Sequence, residues 1–213
     1  MALALRMFPG GPLETNTYLV ADDTTKDAIV IDAAPDVTAA VVQVAHEEGY
    51  RVGAIVITHG HWDHIVDTKA LHDAFQAPVL TSAGVVARIV TPQTGTPVPV
   101  EPGQVDRELE AGDLVVVGSH SFTVLEVPGH DPAHIALYAA EDKVFFGGDV
   151  VFPGGHGTTA IPGSDQDVMN ATLKALLAIP GDVTVYPGHG AHTTFGAERA
   201  WMEAHAATAQ AAS

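Results

Sequence analysis

The chain has 213 residues, 46% hydrophobic and 16% charged, so it can bury a sizeable core and is not a disordered segment. Nine basic residues against 26 acidic ones leave a formal charge of −17, which argues against nucleic-acid binding through a basic patch. There is no cysteine, hence neither disulfides nor thiolate ligands, and no run of 18 apolar residues that would suggest a membrane-spanning helix. No linker or low-complexity stretch divides the chain, so one domain over 1–213, working in the cytoplasm, is expected.

The first residues, Met1 to Arg6, read as the start of a strand rather than as a signal peptide. Residues 3–8, 15–21 and 27–32 read as short strands, separated by turn residues such as Gly10-Gly11-Pro12 and Asp22-Asp23. Val37, Ala40, Val41, Val44 and Glu48 lie on a helical stripe that Gly49 closes. The apolar run Ala54-Ile55-Val56-Ile57 predicts a buried strand leading to His59. Asp63 to Phe75 reads as one helix, Val79-Leu80 as a brief strand, and Ser82 as the cap of a helix through Val90. Residues 91–107 carry four prolines and no period, which predicts a surface loop. Strands follow near 113–117, 121–127, 134–140 and 143–147. Met169, Leu173, Leu176 and Leu177 mark one face of a helix; then come a strand over Val183–Tyr186 and a helix from Phe195 to about Ala207. The small-residue tail to Ser213 is expected to fray. Two β-rich, helix-flanked halves suggest an α/β fold, a four-layer αββα sandwich with a site where the sheet ends meet.

That site has a clear candidate. Thr58-His59-Gly60-His61-Trp62-Asp63-His64 places four potential metal ligands directly after a strand. His59 and His61 are two apart, the spacing that puts side chains on one face of an extended segment. Asp63 and His64 open the next helix and can point back from the other side. His130 and His189 each end a Pro-Gly-His tripeptide after a β-rich run, and Asp149 follows the apolar run Phe145-Phe146-Gly147-Gly148. A carboxylate buried at a strand end needs a positive partner. Seven nitrogen and oxygen ligands are enough for two divalent ions, zinc first, with iron or manganese also compatible. Such a pair can clamp a hydroxide formed at neutral pH. His134 is placed for the rim of the site or for orienting a ligand, and His156, in a Gly-rich loop, can face the pocket. His46, His72, His120, His192 and His205 lack ligand context.

These residues resemble the metallo-β-lactamase superfamily over essentially the whole chain, and within it the small glyoxalase II (hydroxyacylglutathione hydrolase-like) type. The match rests on Thr58–His64, on Pro128-Gly129-His130-Asp131-Pro132-Ala133-His134, on Gly148-Asp149 and on Pro187-Gly188-His189-Gly190. Glu14-Thr15-Asn16-Thr17-Tyr18, Ile31-Asp32 and Thr194-Phe195-Gly196-Ala197-Glu198-Arg199 fit it too. The resemblance implies that His59, His61 and His130 bind one metal, that Asp63, His64 and His189 bind the other, and that Asp149 bridges them. It implies hydrolysis of a thioester such as an acyl-glutathione by a metal-bridged hydroxide, which Asp63 orients. Asp63 and His134 are the candidate catalytic residues.

The sequence departs from the family at three places. Asp131 and Ala133 replace the usual Thr and Gly, and the loop that usually reads Gly-Arg-Ser/Thr-Asp is Gly157-Thr158-Thr159-Ala160. The C-terminal helical domain that holds glutathione in longer relatives is not expected within residues 1–213. Loops 91–107 and 152–163 are expected to shape the pocket. The alternatives are a mononuclear iron persulfide dioxygenase using His59, His130 and Asp149, a lactone or other ester hydrolase, and a metal-binding protein without turnover. A β-lactamase is disfavoured by Asp149 and the lack of a cysteine ligand, and a nuclease by the acidic chain. The expected partner is a small thioester or ester, with neither nucleic acid nor membrane involved; the sequence leaves the oligomeric state open.

Overall fold

The fold was analysed in a computed structural model, which describes residues 3–208; Met1, Ala2 and most of the tail expected to fray lie outside them. Two six-stranded sheets face each other. The first runs in sequence order: β1 (Leu3–Gly10), β2 (Thr15–Asp22), β3 (Asp27–Ile31), β4 (Arg51–Val56), β5 (Val79–Thr81) and β6 (Arg107–Glu108). The second has the order β12 (Thr193–Thr194), β11 (Thr184–Pro187), β10 (Val144–Gly148), β9 (Ile135–Ala139), β8 (His120–Glu126), β7 (Leu114–Val117). β3 and β4 are parallel neighbours, as are β10 and β11; β8, β9 and β10 run antiparallel in succession.

The layering follows from the period of two along each strand. In β2, Tyr18 and Val20 face the second sheet while Leu19 and Ala21 face outwards to helices. β3 splits the same way, Ile29 and Ile31 against Ala28 and Val30, and Val56 and Ile55 of β4 do likewise. Both faces are buried, which is why these strands read as continuous apolar runs rather than as alternating ones. Phe122, Val124, Leu137 and Phe146 supply the other side of the inter-sheet core. Outside the first sheet lie α1 (Thr38–Glu48) and α3 (Thr68–Phe75), which contribute Val41, Ala45 and Leu71. Outside the second lie α5 (Gln166–Leu176) and α6 (Phe195–Ala206), which contribute Met169, Leu173 and Met202. The result is the four-layer αββα sandwich.

Four local expectations need correction. The single helix over 63–75 is two: α2 (Trp62–Ile65) and α3, broken at Val66-Asp67. The break has a cause, because the Asp67 carboxylate accepts bonds from the backbone N–H groups of Asp36, Val37 and Thr38 and from the Thr38 hydroxyl, at 2.7–3.2 Å. It therefore caps α1 from a distance. Ser82 does not cap a helix; its hydroxyl donates to the Ala133 carbonyl at 2.5 Å, and a 3-10 turn over Ala83–Val85 precedes α4 (Val86–Val90). In α1 the inward face uses Ala45, whereas Ala40 and Glu48 are exposed. The short strands β6 and β12 fall where only a loop and a helix approach were expected.

Candidate metal centre

The parallel pairs fix where the chemistry collects. β3, β4, β10 and β11 all end at one edge of the sandwich, and Asp32, His59, Asp149 and His189 follow those ends within three residues. This is the usual ligand edge of a parallel sheet. The two sheets are tied there by two backbone bonds, Ile135 N to the Thr58 carbonyl at 2.9 Å and Asn16 N to the Gly188 carbonyl at 2.7 Å; within the second sheet Gly188 N donates to the Gly148 carbonyl at 2.7 Å. His130 arrives at the same edge in the connection from β8 to β9.

All seven residues singled out as ligands meet. His59, His61 and His130 converge, with one donor atom from each within 4.8 Å of the others, and so do Asp63, His64 and His189. Asp149 stands between the groups. Its Oδ1 is 3.4 Å from His64 Nε2; its Oδ2 is 3.3 Å from His130 Nε2 and 3.5 Å from His189 Nε2. The Asp63 Oδ2 lies 3.4 Å from both His64 Nε2 and His189 Nε2.

The second nitrogen of most rings is committed elsewhere, which fixes ring orientation. His64 Nδ1 meets Asp32 Oδ2 at 2.9 Å, His130 Nδ1 donates to the Thr158 carbonyl at 2.8 Å, and His189 Nδ1 to the Leu13 carbonyl at 3.0 Å. His59 Nδ1 is 3.1 Å from the Thr58 hydroxyl. Asp32 also accepts from Thr58 N and Thr58 Oγ1, at 2.8 and 2.9 Å, and so splints the ligand loop to His64. The Thr15 hydroxyl donates to Asp63 at 2.7 Å, and Asn16 and Tyr18 hold the Pro187 carbonyl, which steadies the His189 turn. The motif Glu14–Tyr18 thus supports ligands rather than supplying them.

The inward-facing atoms are left wanting. His59 Nε2, His64 Nε2, His130 Nε2 and Asp149 Oδ1 are buried and have no hydrogen-bond partner among the described residues. Several orphaned polar atoms aimed at one point are costly unless something fills that point. Imidazole nitrogens and carboxylate oxygens in this arrangement fit divalent metal ions.

Protonation tells the same story. Burial holds His59 well below the ordinary histidine range and takes His61 to about 4 and His134 to about 3. Burial also opposes charge on His64, yet the carboxylates of Asp149, Asp32 and Asp63 outweigh it and raise that ring well above normal. His189 behaves alike: burial pulls down, the bonds to Asp149 and Asp63 win, and it rises to about 9. For Asp63 burial pushes up, but His64, His189 and Thr15 bring it to about 2. Two ring protons thus stand where cationic charge is needed.

The remaining expectations fare differently. His134 is 1% exposed and sits behind the cluster; its Nε2 faces Asp149 N at 3.4 Å. That place suits holding the Asp149 turn and does not touch the open side. His156 turns away, its ring 5.0 Å from that of His205 and 6.1 Å from that of Trp201. Thr158 uses its backbone carbonyl for His130, while its side chain is exposed. Gly157, the first residue of that altered loop, has no room for a side chain: a Cβ there would lie 2.5 Å from the Asp149 carbonyl oxygen and 2.7 Å from His130 Nδ1. A cavity of about 330 Å³ opens beside His61 and His130, and both loops expected to shape a pocket line it, through Pro92, Gln93 and Thr96 on one side and Ile161 and Pro162 on the other.

The profile of the Metallo-beta-lactamase superfamily matches residues 10–189, a span that contains every one of these ligands. The chain belongs to the metallo-beta-lactamase superfamily. Metallo-beta-lactamase-fold structures align with it closely. A structure described as the BLEG-1 B3 metallo-beta-lactamase has a TM-score of 0.84 at 29% identity, covering 91% of this chain and 95% of that one. A di-iron-bound form of TTHA1623 has a TM-score of 0.72 at 32% identity, with 91% and 96% covered. ETHE1 from Myxococcus xanthus has a TM-score of 0.75 at 27% identity, with 92% and 80% covered. Among curated relatives, the hydroxyacylglutathione hydrolase GloC of Haemophilus influenzae is 28% identical over 208 residues, 92% of this chain and 94% of that protein. As a superfamily member the chain carries the His/Asp cluster of a metal-dependent hydrolase, and no helix among the described residues is long and apolar enough to cross a membrane.

Proposed function

We propose that the protein is a dinuclear metallohydrolase that cleaves a small thioester of the acyl-glutathione kind. The observation that carries this reading is the place of Asp149, whose two carboxylate oxygens face donors of both ligand groups. His59, His61 and His130 would hold one ion, and Asp63, His64 and His189 the other, with Asp149 shared. The donor set accepts zinc, iron or manganese. Bound ions would supply a hydroxide nucleophile at neutral pH and Lewis acidity towards the substrate carbonyl. The chain's own residues do the rest. Asp63, kept ionised and fixed by Thr15, can accept a hydrogen bond from water at the centre and orient it. Asp32 fixes the tautomer of His64 by accepting a hydrogen bond from its Nδ1–H. The similarity to a hydroxyacylglutathione hydrolase at full length supports a thioester over other esters. The compartment in this reading is the cytoplasm, in keeping with a cysteine-free chain, and the partner is a small molecule rather than nucleic acid.

The test is thiol release from S-lactoylglutathione by the metal-loaded protein, with His59→Ala as control. Release that falls by at least about a thousandfold in the variant supports the reading; wild-type release in the variant, or none from fully metallated protein, overturns it. The second reading is the mononuclear iron persulfide dioxygenase that would use His59, His130 and Asp149, in keeping with the likeness to ETHE1 from Myxococcus xanthus. Oxygen uptake with glutathione persulfide, without thioester cleavage, would select it.

A further inference from the structure

Arg88 belongs to no motif in the sequence, yet it lies across the ligand loop. A Cβ on Gly60, between His59 and His61, would come within 2.6 Å of Arg88 Cδ and 2.9 Å of Nε and Nη1. The residue between the two histidines therefore has to be glycine for the guanidinium to lie there. On its far edge the guanidinium forms a bidentate pair with Asp131, through Nη1 to Oδ2 and Nη2 to Oδ1, the latter at 3.1 Å. Asp131 is 1% exposed and Arg88 28% exposed, so the carboxylate is walled in and the guanidinium faces the opening. Ala133 N donates to Asp131 Oδ1 at 2.8 Å, which anchors the acid from behind.

The 330 Å³ cavity beside His61 and His130 has one Lys or Arg side chain in its wall, and that is Arg88. Trp62, Ile65, Val100, Ile161 and Pro162 form an apolar part of the wall, which it shares with Gln93, Thr96, Asp131 and the ligand-edge histidines His61 and His130. Among the described residues Arg88 bonds to no acceptor besides Asp131, so its Nε–H and the outer Nη hydrogens remain for a ligand. Apolar walls set the shape of what enters such a pocket, and a few placed polar groups set its orientation.

We propose that this cavity takes an apolar organic group ending in a carboxylate, with Arg88 as the specificity-determining residue that binds the carboxylate and Asp131 as the residue that positions Arg88. The substrate's carboxylate end rests on the guanidinium while its reactive carbonyl reaches the ligand cluster next door. The inference rests on the hydrolase reading for the word substrate, but its test reads binding of a compound that is not cleaved. Failure of thioester turnover therefore leaves it standing, and its own failure leaves the hydrolase intact.

The experiment is isothermal titration of metal-loaded protein with 4-phenylbutyrate and with its neutral amide, 4-phenylbutyramide. The acid is expected to bind about tenfold more tightly than the amide, the size of one charge-assisted hydrogen bond in a partly wet site. In Arg88→Gln the ratio is expected to fall to about one, and Arg88→Lys to keep part of it. Equal binding of acid and amide by the wild type overturns the proposal. So does a preference that survives in Arg88→Gln, which would place the carboxylate on the metal ions. Should that variant not fold, the Arg88 Nε–H resonance of wild-type protein labelled with 15N-arginine decides: it must move with the acid and not with the amide, and a still resonance overturns the proposal.

Discussion

Asp32 shows how much of the centre depends on residues that are not ligands. It has a positive φ of 61°, is 2% exposed, and accepts bonds from Thr58 N, Thr58 Oγ1 and His64 Nδ1. Asp32→Asn keeps the shape but offers His64 only one acceptor oxygen, and its amide group can present N–H to Nδ1 and so select the wrong tautomer. Loss of such a supporting partner usually costs about 10–100-fold in metal affinity. That loss is expected here with the fold retained, read by competition with a chelator; unchanged affinity would show that Asp32 is merely structural. A second consequence concerns protons. Without metal, His64 and His189 are protonated at neutral pH, His189 up to about 9. A metal ion needs those rings neutral, so binding at pH 7 must release protons and apparent affinity must rise with pH up to about 9. Calorimetry of metal binding in two buffers of different ionisation enthalpy counts the released protons. A count of zero would remove the assignment of these rings.

Among the elements, α1 is held by a residue that belongs to a different helix pair. Asp67 takes the N–H groups of Asp36, Val37 and Thr38, while α1 has no side-chain cap of its own at Val37. Asp67→Ala is expected to lower stability by about 1–2 kcal/mol, the worth of a good N-cap. Thioester turnover at 25 °C should change little, since the site is carried by strand ends and not by α1. A melting temperature equal to wild type would contradict the capping role. The connection after Asp149 divides its work in the same residue-specific way: Thr158 serves His130 through its carbonyl, and its side chain is exposed. Thr158→Arg, which restores the side chain usual in the family, is therefore expected to change substrate preference at constant metal content; an unchanged substrate profile would show that the side chain does not reach the ligand. This pattern explains what the sequence made legible. Each of the seven expected ligands follows an apolar run or a repeated Pro-Gly-His turn, so local patterning singled out the residues that meet at the sheet edge, and the apolar runs announced strands buried on both faces. Asp67, Arg88 and the role of Asp32 stayed hidden because their partners are 29 to 43 positions away in sequence and no periodicity encodes a long-range hydrogen bond. The split of the helix over 63–75 was hidden for the same reason, since Asp67 is drawn out of the helix by α1.

For the molecule as a whole, the same crowding that makes a metal centre makes a weak point. The carboxylates of Asp32, Asp63 and Asp149 lie buried around His64, at the edge where the two sheets are joined. Without metal, the ring protons of His64 and His189 supply the cationic compensation. His189 has its folded pKa raised to about 9 from 6.5, and His64 is raised as well. Groups raised in this way stabilise the fold fully below the unfolded value and lose that contribution as pH climbs through the folded value. His59, His61 and His134 are depressed, so well above 6.5 they are neutral in both states and contribute no slope. Metal-free protein should therefore lose stability between pH 6.5 and 9, the window in which metal-loaded protein, whose rings are already neutral, stays level. At about a hundredfold excess of metal over Kd, each ion adds about 2.7 kcal/mol, or a Tm rise on the order of 5–10 °C for a chain of this size. The expected result is a Tm gap between loaded and stripped protein of at least that size at pH 6.5, widening towards pH 9. A gap that is constant across the window would mean that His64 and His189 do not carry the compensating charge, and a gap of zero would mean that the clustered side chains hold no ion that matters to the fold.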